Sequence, residues 1–376
     1  MVNDCIRVGL QFEEENHATP SMKKLSLLCY SQLKKYEARS TFRLAAISKA
    51  AGILSARRKS IKIGVFTKSS YVSKPLLVSC YDVKVQDGKL RVQLRDGSCE
   101  YIPLNTHTLR ILSDAKQRIN SFTLTATSLS ICISREIEAE PGEFINTVGI
   151  DRNLRNLTVG NEKKVTYYDM RKVVEIAENT RSIVGSFKRN DVRMLQSISS
   201  KYGKRRRERT KQLIHGVTKQ IVQEAKANRR AIIFEEIRGI RNLYRKGNGQ
   251  GKSFRDRMNS WPFHEVKRQI EYKAAWEGVP VITLSRKDTR GTTMDCPRCG
   301  ERLQVPIRGD AEHYHQPWCK KCERWMDRDL VAVLNISRRG RVRFARSSTE
   351  GEAGEAVKRN AERDGEPLIR RVDASK

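Results

Sequence analysis

Four cysteines constrain this chain most tightly. Cys296-Pro-Arg-Cys299 and Cys319-Lys-Lys-Cys322 are two C-x-x-C knuckles, and a separation of about 19 residues is what a tetrahedral thiolate ribbon requires. Four soft anionic ligands predict zinc. With every corner of the tetrahedron taken by protein no position is left for water, so this zinc is structural and any catalytic metal lies elsewhere. Gly300 suits the tight turn that lets backbone amides face thiolate sulfur after the first knuckle. His313 and His315 lie between the knuckles, but the ligand set is complete without them. The other five cysteines, Cys5, Cys29, Cys80, Cys99 and Cys132, are scattered; reduced thiols beside one metal site fit a cytosolic compartment.

The 376 residues suffice for two or three domains. Lys plus Arg is 74 against 43 Asp plus Glu, a net charge of +31. Such an excess repels itself in a compact chain unless a polyanion neutralises it, and nucleic acid is the natural partner. No lipidation signal flanks an amphipathic basic helix, which argues against a membrane-surface binder. No apolar run is long enough to span a bilayer, and Glu13, Glu14 and Glu15 stand where a signal peptide would be apolar. A soluble, intracellular protein is expected, with no membrane partner.

Residues 4–12 alternate apolar and polar like a strand, and Thr19-Pro20-Ser21 then opens a helical stretch to about Arg58. From Gly64 to about Ile137 β-branched and aromatic runs are punctuated by Asp87-Gly88 and Asp96-Gly97 turns. This predicts an antiparallel barrel or sandwich with helices inserted after its first strand. Glu140-Pro141-Gly142-Glu143 breaks the pattern, and a second domain opens near Asn146 with a short buried strand ending in Asp151. Two further strands lead to a long helical region, Met170 to Asn228. The apolar run Ala231 to Ile237 reads as a central strand, Trp261 to Trp276 as a helix, and Gly278 to Leu284 as another strand. Alternating strand and helix imply an α/β layer. A charged tail, 347–376, has few large apolar residues and is expected to be disordered.

Hydrolysing a phosphodiester without a protein nucleophile usually takes two divalent metals held by hard oxygen ligands. Asp151 ends one apolar strand, Glu235 ends another, and Asp329 follows the second knuckle. Each alone also reads as a helix cap or a rim ion pair. Glu236 competes with Glu235, because the two point to opposite faces of a strand, and Asp327 competes with Asp329 at an acidic helix start.

These blocks together resemble the TnpB (OrfB) family, RuvC-like nucleases encoded by insertion sequences of bacteria and archaea and related to type V CRISPR effectors. The resemblance covers roughly residues 146–340. It is carried by GIDRNLRNLTVG (149–160), IIFEEI (232–237), WPFHEVKRQIEYKAAWEGVPV (261–281), GTTMDCPRCG (291–300) and CKKCERWMDRDLVAVLNI (319–336). It implies a multidomain protein. Residues 1–145 would be a wedge β-barrel with a recognition helical region inserted at about 19–60. Residues 146–346 would be an RNase H-like (RuvC) α/β nuclease domain, with the zinc ribbon inserted at about 291–326. Asp151, Glu235 and Asp329 would be the catalytic acids holding two magnesium ions. Asp329 is preferred because it precedes L-V-A-V-L-N-I as the family's metal-binding Asp precedes its N-A-A-x-N-I. The chain departs from the family pattern at Asn153, Glu236-Ile237 and Val331, none of which removes a carboxylate.

The resemblance also implies a guide RNA whose pairing selects a double-stranded DNA target, an endonuclease activity linked to transposable elements, and a place in the prokaryotic cytosol or nucleoid. The protein would hold the heteroduplex through its backbone. The basic block Lys201, Lys204, Arg205, Arg206, Arg207 and Arg209 covers every face of its helix and is expected to contact phosphate. Tyr202, Trp261 and Phe263 offer stacking, though core packing is the simpler reading. Two alternatives remain: a guided DNA binder that no longer cuts, and a transposase accessory acting on element ends without RNA.

Overall fold

The computed structural model describes residues 1–64, 70–79, 83–94, 97–137, 144–187, 192–237, 239–306, 312–347 and 367–374. These divide into two units, Met1–Glu136 and Ile137–Lys376. The expected break at Glu140–Glu143, Cys80 and Asp96 lie outside the described residues.

The first unit opens with helix α1 (Val2–Asn16), where alternation predicted a strand. That run fits both periods, and burial decides between them: Cys5, Ile6 and Gly9 are covered, a helical spacing. Ser21 caps α2 (Met22–Cys29), its hydroxyl accepting from the Lys24 amide at 3.2 Å. A 3-10 turn, Gln32–Tyr36, leads to α3 (Ser40–Lys62). Cys5, Ile6, Leu25, Cys29, Leu33, Ile47 and Leu54 from these elements share one core. The helices therefore precede the described strands of this unit instead of being inserted after a first one.

β1 (Leu76–Ser79), β2 (Lys84–Gln86), β3 (Lys89–Gln93) and β4 (Cys99–Pro103) follow, then α4 (Thr106–Leu112), β5 (Gln117–Thr125) and β6 (Leu129–Arg135). The predicted Asp87-Gly88 turn closes the β2–β3 hairpin with φ of 48° and 72°, the left-handed pair of a type I′ turn. The strands pair as two antiparallel sheets, β1-β5-β6 and β2-β3-β4. Leu90 and Val92 of one meet Phe122 of the other in a shared core. Among the described residues the sheets stack, and their pairing does not close a barrel.

In the second unit β7 (Asn146–Arg152), β8 (Asn156–Gly160) and β9 (Lys164–Asp169) form an antiparallel meander. Helices α5 (Arg171–Ser186) and α6 (Val192–Ala227) lead to β10 (Arg230–Glu235), which pairs in parallel with β7. After α7 (Ile240–Leu243), α8 (Lys252–Ser260) and α9 (Phe263–Glu277), β11 (Val281–Leu284) pairs in parallel with β10. The ribbon strands β12 (Trp318–Cys319) and β13 (Arg324–Trp325) precede α10 (Arg328–Ser347). The order β11-β10-β7-β8-β9 is the RNase H-like sheet that the family resemblance implies.

Both faces of this sheet are covered, which is why its central strands read as continuous apolar runs. Ile150, Ile232 and Phe234 pack with Ile214 and Ile221 of α6 and Val266 and Ile270 of α9. Ile233 and Leu284 turn the other way, onto Ile336 of α10. α10 lies against bare β7 backbone at Gly149: a Cβ there would stand 2.5 Å from the Val333 carbonyl oxygen and 2.8 Å from the Ser337 nitrogen.

The tail expectation needs correction at its end. Leu368–Asp373 forms β14, a sixth strand parallel to β9. Main-chain pairing and the packing of Val372 and Ala374 on the core hold it, while Leu368 is 68% and Ile369 53% exposed, so burial leaves little mark in the sequence. The rest of the tail, 348–366 and 375–376, lies outside the described residues.

Candidate metal centres

Asp151 stands on β7 and Glu235 ends its parallel neighbour β10. The register pairs Phe234 with Ile150, so its next step sets Glu235 beside Asp151 on one face of the sheet. This is the carboxyl end of two parallel strands, where open α/β sheets place their ligands. It is also the face on which α10 packs, and α10 carries Asp329 in its first turn.

Asp327 and Asp329 separate by role. Asp327 Oδ1 accepts from the amides of Asp329 at 2.8 Å and Leu330 at 3.0 Å, which makes it the cap of α10. Asp329 is half-buried and its Oδ2 accepts from Asn156 Nδ2 at 3.1 Å. Glu236 follows Glu235 past the end of β10, and alternation turns it from the Asp151 face.

Two asparagines bridge the acids. Asn153 Nδ2 donates to Asp151 Oδ2 at 2.9 Å and to Asn156 Oδ1 at 3.3 Å, so a line of amides runs from Asp151 to Asp329. Arg152 points to the opposite face, where its guanidinium lies over Phe234 and donates to the main-chain carbonyls of Glu235 at 2.8 Å and Phe263 at 3.1 Å. Sequence reasoning assigned no role to Arg152 or Asn156. The signal available for Asn156 was a polar residue opening a buried strand right after Asp151.

The electrostatics are those of three acids short of cations. Burial pushes the Asp151 carboxyl up to about 7, and the nearby charges of Glu235 and Asp329 add to it. Burial also raises Glu235, opposed by Arg152, and Asp329, opposed by its bond from Asn156. A divalent cation held by hard carboxylate oxygens relieves this repulsion, so the donor set fits magnesium.

The cysteine quartet is assembled as its spacing required. The sulfurs of Cys296, Cys299, Cys319 and Cys322 all lie within 4.8 Å of one another, the one such ligand group among the described residues. Four converging thiols can hold a metal such as zinc. Gly300 adopts φ of 76° after the first knuckle, and Glu323 takes the same left-handed turn at 49° after the second. His313 stacks on Trp325 at 3.9 Å, away from a ligand role. Asn335 of α10 anchors the approach to the ribbon, its buried amide donating to the carbonyls of Thr292 at 2.8 Å and Asp295 at 2.7 Å.

The basic block lies on α6, with Lys201, Lys204, Arg205, Arg207 and Arg209 exposed. Arg205 stacks on Tyr202 with 5.6 Å to the ring centroid. Arg206 differs from the others: it is half-buried and donates to the Ser260 carbonyl at 3.2 Å. Trp261 and Phe263 are buried edge to face in the core. No described helix is long and apolar enough to cross a membrane.

Residues 263–336, from α9 through the ribbon into α10, match the model of the TNB domain of Cas12f1-like proteins. A TnpB-like protein of Methanocaldococcus jannaschii is 30% identical over 218 residues, spanning 55% of this chain and 73% of the relative. The chain belongs to the TnpB family. Its fold also resembles Cas12f1 as solved by cryo-EM in a Cas12f1-sgRNA-target DNA complex, with a TM-score of 0.57 and 14% identity over 89% of this chain and 80% of that one. At that identity the likeness concerns fold alone. In this TnpB protein the matched residues 263–336 hold Asp329 and the four cysteines on the elements just described.

Proposed function

We propose that this protein is an RNA-guided DNA endonuclease whose catalytic acids are Asp151, Glu235 and Asp329. The observation that carries the reading is their convergence: two adjacent parallel strand ends and one helix start direct three carboxylates to one face, where burial and mutual repulsion call for cations. Two magnesium ions bound there would activate water and stabilise the leaving oxygen. Asp151 and Asp329 are held in place by Asn153 and Asn156. Arg152 fixes the main chain of Glu235 from behind the sheet. The cysteine quartet holds structural zinc, and the exposed residues of the Lys201–Arg209 block contact phosphate. The guide RNA selects the DNA by pairing, the first unit serves as wedge and recognition region, and the protein acts in the cytosol or nucleoid.

The intact trio of acids favours cutting over a binding-only regulator. The test is Asp151→Ala purified with its RNA: target binding persists and cleavage disappears. Undiminished cleavage would remove the catalytic assignment, and the absence of any defined RNA would favour an accessory role in transposition.

A further inference from the structure

The strand β14 extends the edge of the sheet and directs one arginine to the face that carries the three acids. β14 pairs with β9 so that Arg371 stands opposite Tyr167 and Asp373 opposite Asp169. Side chains alternate along both strands, so Arg371 and Tyr167 share a face. That face is the one covered by α10, because Val165 and Tyr167 pack with Leu330, Val333 and Leu334 of the helix. The Tyr167 phenol reports its surroundings: burial raises its pKa first, the charges of Asp327 and Asp329 raise it further, and Arg371 opposes them. The ring thus lies between the first turns of α10 and the strand that carries Arg371.

Arg371 is exposed, and its guanidinium has no hydrogen bond or ion pair among the described residues. Val372 and Ala374 pack on the core from the other face, which leaves Arg371 on the face of α10. What β14 achieves is to set a cation without a described partner on the acid-bearing face, three strands along from Asp151. Three carboxylates repel a phosphodiester, and a planar guanidinium further along the same face is matched to phosphate oxygens of the same backbone.

We propose that Arg371, delivered by β14, is a phosphate-binding residue of the nuclease face that holds the backbone of the strand presented to Asp151, Glu235 and Asp329. This rests on the endonuclease reading above. Its test uses the full chain with its co-purified RNA. Arg371→Ala is expected to slow target cleavage about tenfold or more, the size of one lost charge-assisted hydrogen bond, with Arg371→Lys partly restoring the rate and the melting temperature unchanged in both. A photo-crosslinking residue placed at 371 in the Asp151→Ala background is expected to label target DNA. Parental cleavage by Arg371→Ala together with no label on DNA overturns the proposal. So does a lowered melting temperature with parental cleavage, which would make Arg371 an internal ion-pair partner of Asp327. If the parent protein itself does not cut, the endonuclease reading fails, and the crosslink still decides whether Arg371 meets nucleic acid.

Discussion

Asn335, on the helix whose first turn carries Asp329, donates its side-chain amide to the main-chain carbonyl of Asp295 at 2.7 Å, directly before the first knuckle cysteine. One buried amide therefore joins the helix of the third acid to the entrance of the ribbon. Asn335→Leu leaves the carbonyls of Thr292 and Asp295 without that donor and is expected to destabilise the protein by about 1–3 kcal/mol. It is also expected to speed the loss of zinc to a chromophoric chelator. Unchanged zinc release would show that the ribbon is anchored elsewhere.

The same link would make a metal held by the quartet matter beyond its own knuckles. Cys322 precedes Asp329 by a short segment containing the Asp327 cap. Stripping the thiolate metal with a chelator and then restoring excess magnesium is expected to leave cleavage impaired, because the start of α10 loses its support. Full recovery of cleavage with magnesium alone would break the proposed coupling.

The buried Asp151 sets a pH dependence with a definite sign. Its folded carboxyl titrates at about 7, against about 3.9 in an unfolded chain. The protonated carboxyl thus contributes stability that is fully present below about pH 4 and is lost as pH rises through 7. With about three units between the two states, the loss is on the order of 4 kcal/mol at most. In chelator, Asp151→Asn is expected to be more stable than the parent at pH 8, with the gap closing toward pH 4. In magnesium the parent should gain stability and the variant little. A gap that does not change with pH would contradict the assignment.

How much of this was legible in the sequence follows from what each residue depends on. The places of Asp151 and Glu235 near strand ends were readable because an acid ending an apolar run is locally anomalous, and the clustering of the cysteines because ligand spacing is itself local. Asn335, Asn156 and Arg152 were not, since their partners lie far along the chain and only the folded sheet brings them together. α1 was misread because its residues fit both periods until burial of Cys5, Ile6 and Gly9 selects the helix. β14 was missed because an edge strand with one core-facing side chain, Val372, shows no apolar alternation.

Within the basic block the structure divides one arginine from its neighbours. Arg206 donates to the Ser260 carbonyl, which ties α6 to the end of α8, whereas Arg207 is exposed. Arg206→Ala is expected to lower the melting temperature by a few degrees, consistent with losing a charged hydrogen bond of about 1.5–3 kcal/mol. Arg207→Ala should leave stability unchanged and reduce the salt dependence of nucleic-acid binding by roughly one counterion. The reverse pattern would mean that the block is oriented differently on its helix.

Gly149 offers the sharpest test of how the third acid is positioned, because α10 reaches its place only by resting on bare backbone. A methyl group there meets main-chain atoms of Val333 and Ser337, not the end of a pliable side chain. Relief therefore requires α10 itself to move, and Asp329 moves with it. Gly149→Ala is expected to cost about 1–3 kcal/mol and to reduce cleavage more than it reduces target binding. Gly216→Ala on α6 is the control: it has open space around it and should stabilise by about 0.5–1 kcal/mol, as alanine does in a helix. Parental stability and cleavage in Gly149→Ala would mean that α10 does not depend on this contact for its position.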